Sequence, residues 1–438
     1  MTAPPSRAHR APRSAALVVL LFVVALAGRF NLSRLDPSID LDARLVGCVV
    51  LAVATFFWRL HHARGWPPGG RQTGAALLAV LVVYQLITVF WAPPGARVAE
   101  SLGNLVALLV VVGCAAVIVR PDPGHAATVL LWCCLAAAAL YAVGALLSGA
   151  SVQGRYAAFG GGPNVFVRVQ CLGVIAAVTV ALARRRYALL LPIPLFLLAA
   201  VLSGSRGGLV ALIGAVVAFA VCFFHRLRLW KLVTMVAAGG AAAATVWVLI
   251  PGNDIDTVQS RYSWSALQAN DYSIRPRLLA EALEIFGQHP VLGGGLDSFY
   301  AEAGRYISLG VGYAHNLVVS YAAEGGAVAL ALFAAALLAF WRDGRPWGTH
   351  PPEALGCLVG AVYIGMASMF SGDYYDTRFM WIFLIVAATH PPARADQPGS
   401  DRPGSNRPSS DRPGSDQLGD AASNTAQRVV AATRRNPG

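Results

Sequence analysis

Runs of about twenty apolar residues recur along this chain, and each is long enough to cross the hydrocarbon layer of a bilayer as a helix. A helix satisfies its own backbone hydrogen bonds, so uninterrupted runs of this length select helices over any open sheet. The chain has 438 residues, of which 56% are hydrophobic and 13% charged. Its mean hydropathy is +0.57, well beyond what the core of a water-soluble protein of this size needs. The pattern predicts an all-α, polytopic membrane helix bundle. The first run, from Ser14, lacks a small-residue cleavage site and reads as a span, not a cleaved signal peptide.

Polar interruptions place the starts of the runs near Ser14, Arg44, Thr73, Ser101, Ala126, Val165, Tyr187, Gly207, Lys231, Ala314, Glu353 and Arg378, giving about twelve transmembrane helices. Arginine bias sets the orientation. Alternate connections carry Arg7, Arg10 and Arg13, then Arg59, Arg64 and Arg71, Arg120, Arg184 to Arg186, Arg226 and Arg228, and Arg342 and Arg345. These read as cytoplasmic, with both termini inside. The organisation expected is a basic cytoplasmic tail over 1–13, helices one to nine over 14–250, an extracytoplasmic loop with amphipathic surface helices over 251–313, helices ten to twelve over 314–390, and a tail over 391–438. From Asp396 to Gln417 that last segment repeats Asp/Asn-Arg/Gln-Pro-Gly/Ser-Ser, which has no apolar face to bury, and the tail is expected to be disordered.

The formal net charge of +12 therefore reports topology and anionic lipid more than nucleic acid. All seven cysteines lie inside apolar runs and read as small buried residues, not disulfides or metal ligands. No His/Cys/Asp grouping has metal-site spacing, so neither metal nor cofactor is expected.

The opposite connections carry the chemistry. "SGSRGG", Ser203 to Gly208, sets Arg206 at the outer turn between helices seven and eight, where a guanidinium needs a counter-anion or water. On the same side lie Arg155, Asn164 and Arg168 in "GRYAAFGGGPNVFVRVQ" and Arg275 and Arg277 in "SIRPRLL". His315 and Asn316 stand in "AHN", Glu324 sits deeper in the same helix, and Asp373, Asp376 and Arg378 stand in "SGDYYDTRF". Several arginines with few carboxylates suit a polyanion such as a diphosphate, which arginine grips through a bidentate fork. Between them, "RPRLLAEALEIFGQHP" spaces Leu278, Leu279, Ala282, Leu283 and Phe286 as a helix on the membrane surface, ended by Gly287 and Pro290.

From Arg155 to Trp381 the chain resembles the O-antigen ligase and polymerase superfamily of polytopic membrane glycosyltransferases. The resemblance is carried by "SGSRGG", by Arg275 followed by a helix and "HPVLGGGLDSF", by "AHN" with the "EGG" helix after it, and by "GRYAAFGGGPN". The outer loop is shorter than the family pattern usually allows. The "GGGLDSF" glycines lack the lysine and strand of a phosphate-binding loop and are read as permitting a tight turn after a helix.

The resemblance implies a GT-C-like O-antigen ligase fold. It also implies glycosyl transfer, metal-independent and inverting, from a polyprenyl-diphosphate-linked glycan to a saccharide or lipid-glycan acceptor at the outer face of the cytoplasmic membrane. Arg206 and Arg275 are then the diphosphate clamps and His315 the general base, with Arg155, Asn164, Arg168, Arg277, Asn316, Asp373 and Arg378 as substrate-binding residues. Each has a plainer rival. His315 can cap a helix or bind phosphate as an imidazolium, Arg275 can pair with Glu281, and Asp373 and Asp376 can pair with Arg378. At the level of the whole chain the rival is a transporter or lipid-linked glycan flippase, since buried charges among a dozen helices also suit alternating access.

Overall fold

The computed structural model describes residues 14–28, 38, 42–62, 72–150, 154–223, 274–303 and 312–390, with backbone alone for 221–223. The chain divides after Ala393, and all of these residues belong to the first unit. The helix expected near Lys231, much of the long outer loop and both tails lie outside the described residues.

Local signals start most of the helices. Helices α1 (Ala15–Ala27) and α2 (Ala43–His61) come first, and Asp42 caps α2 by accepting from the Arg44 amide at 2.9 Å. Helices α3 (Thr73–Ile87), α4 (Val98–Val119) and α5 (Pro123–Ser148) follow. Asp122 caps α5 through the His125 amide at 2.9 Å, with Pro123 in the first turn. Next come α6 (Pro163–Arg184), the short α7 (Ile193–Leu202) and α8 (Arg206–Phe223). After the gap lie α9 (Arg275–Gln288) and the one-turn α10 (Ser298–Glu302). The last three are α11 (Leu317–Asp343), α12 (Pro352–Ser368) and α13 (Arg378–Thr389).

Six of the described helical segments are long and apolar enough to cross a membrane, and four shorter apolar ones accompany them. Helix α6 lies at the centre, with Phe166, Cys171, Ala176 and Ala181 all inaccessible. Close packing there depends on small residues: a Cβ at Gly173 would stand 2.3 Å from the Cβ of Ala138 on α5. Helix α2 is peripheral and turns Val49, Phe56 and Phe57 outward, as a lipid-facing helix does.

The alternating connections separate to the two ends of the bundle. At one end Ser14 Oγ donates to the Ile118 carbonyl, Gln72 Nε2 to that of Ala116, and the Gly74 amide to Asp343 Oδ2. At the other end meet the segments around Arg97, Arg155, Ser205, Asp297 and Ser371, which form the candidate site.

One feature breaks the simple bundle. Helix α11 is interrupted at Gly326, whose φ of +66° no helix contains. The groups freed by the break are satisfied by the segment after α9. The amides of Gly294 and Gly295 donate to the carbonyls of Ala323 and Glu324, while the amides of Ala327 and Val328 donate to those of Pro290 and Val291. Irregular backbone at such depth is tolerated where protein supplies the partners. The glycines of "GGGLDSF" therefore serve close backbone approach as much as turning. A Cβ on Gly293 would lie 2.4 Å from the Glu324 carbonyl carbon, and one on Gly295 2.6 Å from the Trp91 oxygen.

Helix α9 also differs from its sequence pattern. Helix α9 continues through Gly287 to Gln288. Its buried stripe is Leu278, Ala282 and Ile285, packed with Phe299, Ala303, Ala314 and Ala323, while Leu279 and Leu283 stay exposed. The i, i+4, i+7 row was chosen by the surface of α11, which no local periodicity contains.

Candidate active site

The site is built on the turn that opens α8. Ser203 Oγ donates to the Ala200 carbonyl and accepts from the Ser205 amide at 3.1 Å, a local hydroxyl turn that ends α7. Arg155 Nε donates to the Ser203 carbonyl at 2.9 Å, tying the preceding connection to this turn. Ser205 Oγ donates to Asn164 Oδ1 at 2.8 Å, and Asn164 Nδ2 donates to Ser371 Oγ at 3.0 Å. Asn164 thus joins three connections at this end of the bundle, and Arg206 follows with its side chain exposed.

A small cavity lies against this junction, lined by Asn164, Arg168, Ser205, Gly207, Arg275 and Ser371 among others. Arg275, the first residue of α9, reaches it from the long loop. Partial desolvation, reinforced by the nearby Arg206 charge and opposed by Tyr313, holds Arg275 below the ordinary arginine pKa. Two guanidiniums therefore share one field, an arrangement that a polyanion relieves.

His315, within the field of Arg275, stands at the foot of α11 with φ of +56°, a conformation uncommon outside glycine. Asn316 caps the helix by accepting from the Val319 amide at 3.2 Å and anchors to the Met369 carbonyl through Nδ2 at 3.2 Å. The His315 ring lies 4.1 Å from that of Tyr313, centroid to centroid. Burial and the Arg275 charge, against a weaker opposing pull from Asp376, lower the His315 pKa to about 4. The imidazole is therefore neutral at pH 7. Its Nδ1 is buried with no hydrogen-bond partner.

The remaining sequence candidates divide by position. Arg168 is buried, and its guanidinium donates to the carbonyls of Ser371 and Ala367. Arg378 is buried as well. It donates to the carbonyls of Ala25 and Tyr375, sits 3.6 Å from Asp376 and lies over the Tyr375 ring at 4.6 Å. Both arginines hold the end of the bundle together, although Arg168 also lines the cavity. Asp373 accepts from the amides of Tyr375 and Asp376 and so shapes the 371–377 turn. Arg277 points outward from α9 and is exposed.

Sequence reasoning passed over Arg97 and Asp297. The Arg97 guanidinium meets both carboxylate oxygens of Asp297, donates to the Gly312 carbonyl and covers the Tyr300 ring at 3.6 Å. It thereby fixes the strand of chain that carries Tyr313 and His315. The available signal was a lone aspartate, Asp297, closing a glycine run on the side where arginines already gathered.

A polytopic helical membrane protein with an arginine-rich, histidine-containing site at one end of its bundle is the class these features define. Residues 191–334 match the family described as O-Antigen ligase, a stretch that includes Arg206, Arg275, His315 and Glu324. The match covers about a third of the chain and agrees with the resemblance that its motifs carry to the O-antigen ligase and polymerase superfamily. "GRYAAFGGGPN" lies outside the matched stretch. No curated protein matches the chain.

Proposed function

We propose that the protein is a membrane glycosyltransferase that moves a glycan from a polyprenyl-diphosphate carrier to a saccharide or lipid-glycan acceptor at the outer face of the cytoplasmic membrane. The observation that carries this reading is the run of neighbours at this end of the bundle, in which the Arg206 charge acts on Arg275 and the Arg275 charge on the neutral His315.

The chemistry needs little more. An acceptor hydroxyl attacks the anomeric carbon, the bond from that carbon to the diphosphate oxygen breaks, and the lipid diphosphate leaves with the bonding electrons. Arg206 and Arg275 stabilise the charge that develops on it. A ring nitrogen of His315 takes the hydroxyl proton, for which a neutral imidazole is required. One in-line displacement inverts the anomeric configuration. Asn164 and Asn316 hold the arginine turn and the histidine in register.

The test is transfer by the purified protein reconstituted in lipid, supplied with a lipid-diphosphate glycan and candidate acceptors. Repeated addition identifies a polymerase and a single addition a ligase. Movement of the lipid-linked glycan between leaflets with no transfer to any acceptor overturns the reading in favour of a flippase.

A further inference from the structure

Glu324 is buried in α11 one turn below Ser320, beside the break at Gly326. The Tyr374 hydroxyl oxygen lies 2.9 Å from Glu324 Oε2 and 2.9 Å from the Ser320 carbonyl oxygen. Tyr374 is itself buried, its ring tilted against that of Tyr321 with centroids 4.8 Å apart, and burial drives its pKa well up, so it keeps its proton. A phenol has one hydrogen to donate, and a carbonyl can only accept. If that hydrogen goes to Ser320, the contact with Glu324 needs a second proton, and only the carboxyl can bring it. If it goes to Glu324, the Ser320 carbonyl loses it, and a full negative charge stays buried close to the Asp297 carboxylate.

The other groups facing Glu324 favour the first arrangement. The Asp297 amide donates to the Glu324 carboxyl, and the Asp297 carboxylate adds negative charge nearby. Among the described residues the cation that acts on Glu324 is Arg97, but its guanidinium is already engaged by Asp297 at 3.2 Å and by Glu100 at 3.4 Å.

We infer that Glu324 is a neutral carboxylic acid, donating its proton to Tyr374 while Tyr374 donates to Ser320, and that this chain of donors positions the 371–377 turn and the 293–297 segment on either side of His315. Tyr374 belongs to the turn that carries Asp376, which acts on His315 electrostatically. Asp297 belongs to the segment that, through Arg97, holds the Gly312 carbonyl. Glu324 is thus a positioning residue. Its ionisation at alkaline pH removes the donor to Tyr374 and sets two carboxylates against each other, which loosens both supports of the histidine.

The effect on transfer rests on the function proposed above, whereas the protonation does not. The experiment is therefore infrared spectroscopy of the purified protein in lipid, wild type against Glu324→Gln, with the pH profile of transfer recorded on the same samples. A protonated-carboxyl carbonyl band is expected in the wild type at pH 7, absent from Glu324→Gln and lost on alkaline titration. Glutamine keeps both a donor and an acceptor, so Glu324→Gln should retain transfer and lose the alkaline limb of its pH profile. Glu324→Ala should lose transfer by about tenfold or more, as expected for a buried donor left unpaired. Identical carbonyl spectra at pH 7 overturn the proposal, as does an alkaline limb unchanged in Glu324→Gln. The band present with no transfer in any sample would instead fail the transferase reading and leave the neutral acid in place.

Discussion

Arg97 and Asp297 lie 200 residues apart and meet as a two-point ion pair, Nε to Oδ2 and Nη2 to Oδ1, both at 3.2 Å. The Arg97 amide adds a third bond to Oδ2 at 2.8 Å. Asp297 is buried while Arg97 keeps about a third of its side chain exposed, so the pair is partly screened and the cost of breaking it falls mainly on the buried carboxylate. Arg97→Ala, which leaves the buried Asp297 carboxylate without its guanidinium, should lower unfolding stability by about 1–3 kcal/mol, read from denaturant or thermal unfolding in detergent. It should also reduce transfer, because the Gly312 carbonyl loses its fixed donor. Unchanged stability would show that the pair is incidental.

Gly326 should tolerate no side chain. An alanine there keeps a disfavoured φ of +66° and brings its Cβ within 2.3 Å of the Val291 oxygen and 2.5 Å of the Gly293 nitrogen, both backbone atoms that cannot step aside. Gly326→Ala should abolish the monodisperse, folded protein recovered from membranes. Gly113→Ala, at a helical position with nothing within 4 Å, is the control and should be recovered as wild type. Equal recovery of both would mean that the break in α11 is not structurally required.

Arg206→Lys and Arg275→Lys keep the charge and lose the planar fork. If the guanidiniums stabilise the departing diphosphate, each should lower kcat by roughly a hundredfold or more, the scale of losing one stabilising donor at the reacting centre. Transfer rates at saturating donor decide it. Near-normal rates in both lysine variants would reduce the arginines to a general positive field.

His315→Ala should leave donor-lipid binding largely intact and lower turnover by roughly a hundredfold, the usual scale for a lost general base. The pH dependence follows from the lowered pKa. A base works only when unprotonated, and a folded-state pKa of about 4 keeps His315 unprotonated from neutral pH down to near that value. Transfer should therefore persist through the range where an ordinary histidine protonates, around pH 6.5, and fail only as pH approaches 4. Loss of activity centred near 6.5, with the fold intact, would contradict that environment.

The helical class, the alternation of the connections between two ends and the presence of Arg206, Arg275 and His315 at one of them were legible in the chain itself. Run length, arginine placement and short local motifs carry that information, because crossing a bilayer imposes it residue by residue. Tertiary structure decided which polar groups are consumed by the fold. The guanidiniums of Arg168 and Arg378 are held by the carbonyls of Ser371, Ala367, Ala25 and Tyr375. The break at Gly326, the Arg97–Asp297 pair and the Glu324–Tyr374–Ser320 chain were likewise set by folding. Each joins groups that local spacing does not connect, and each exists because a buried polar group must find its partner wherever the packed helices bring one.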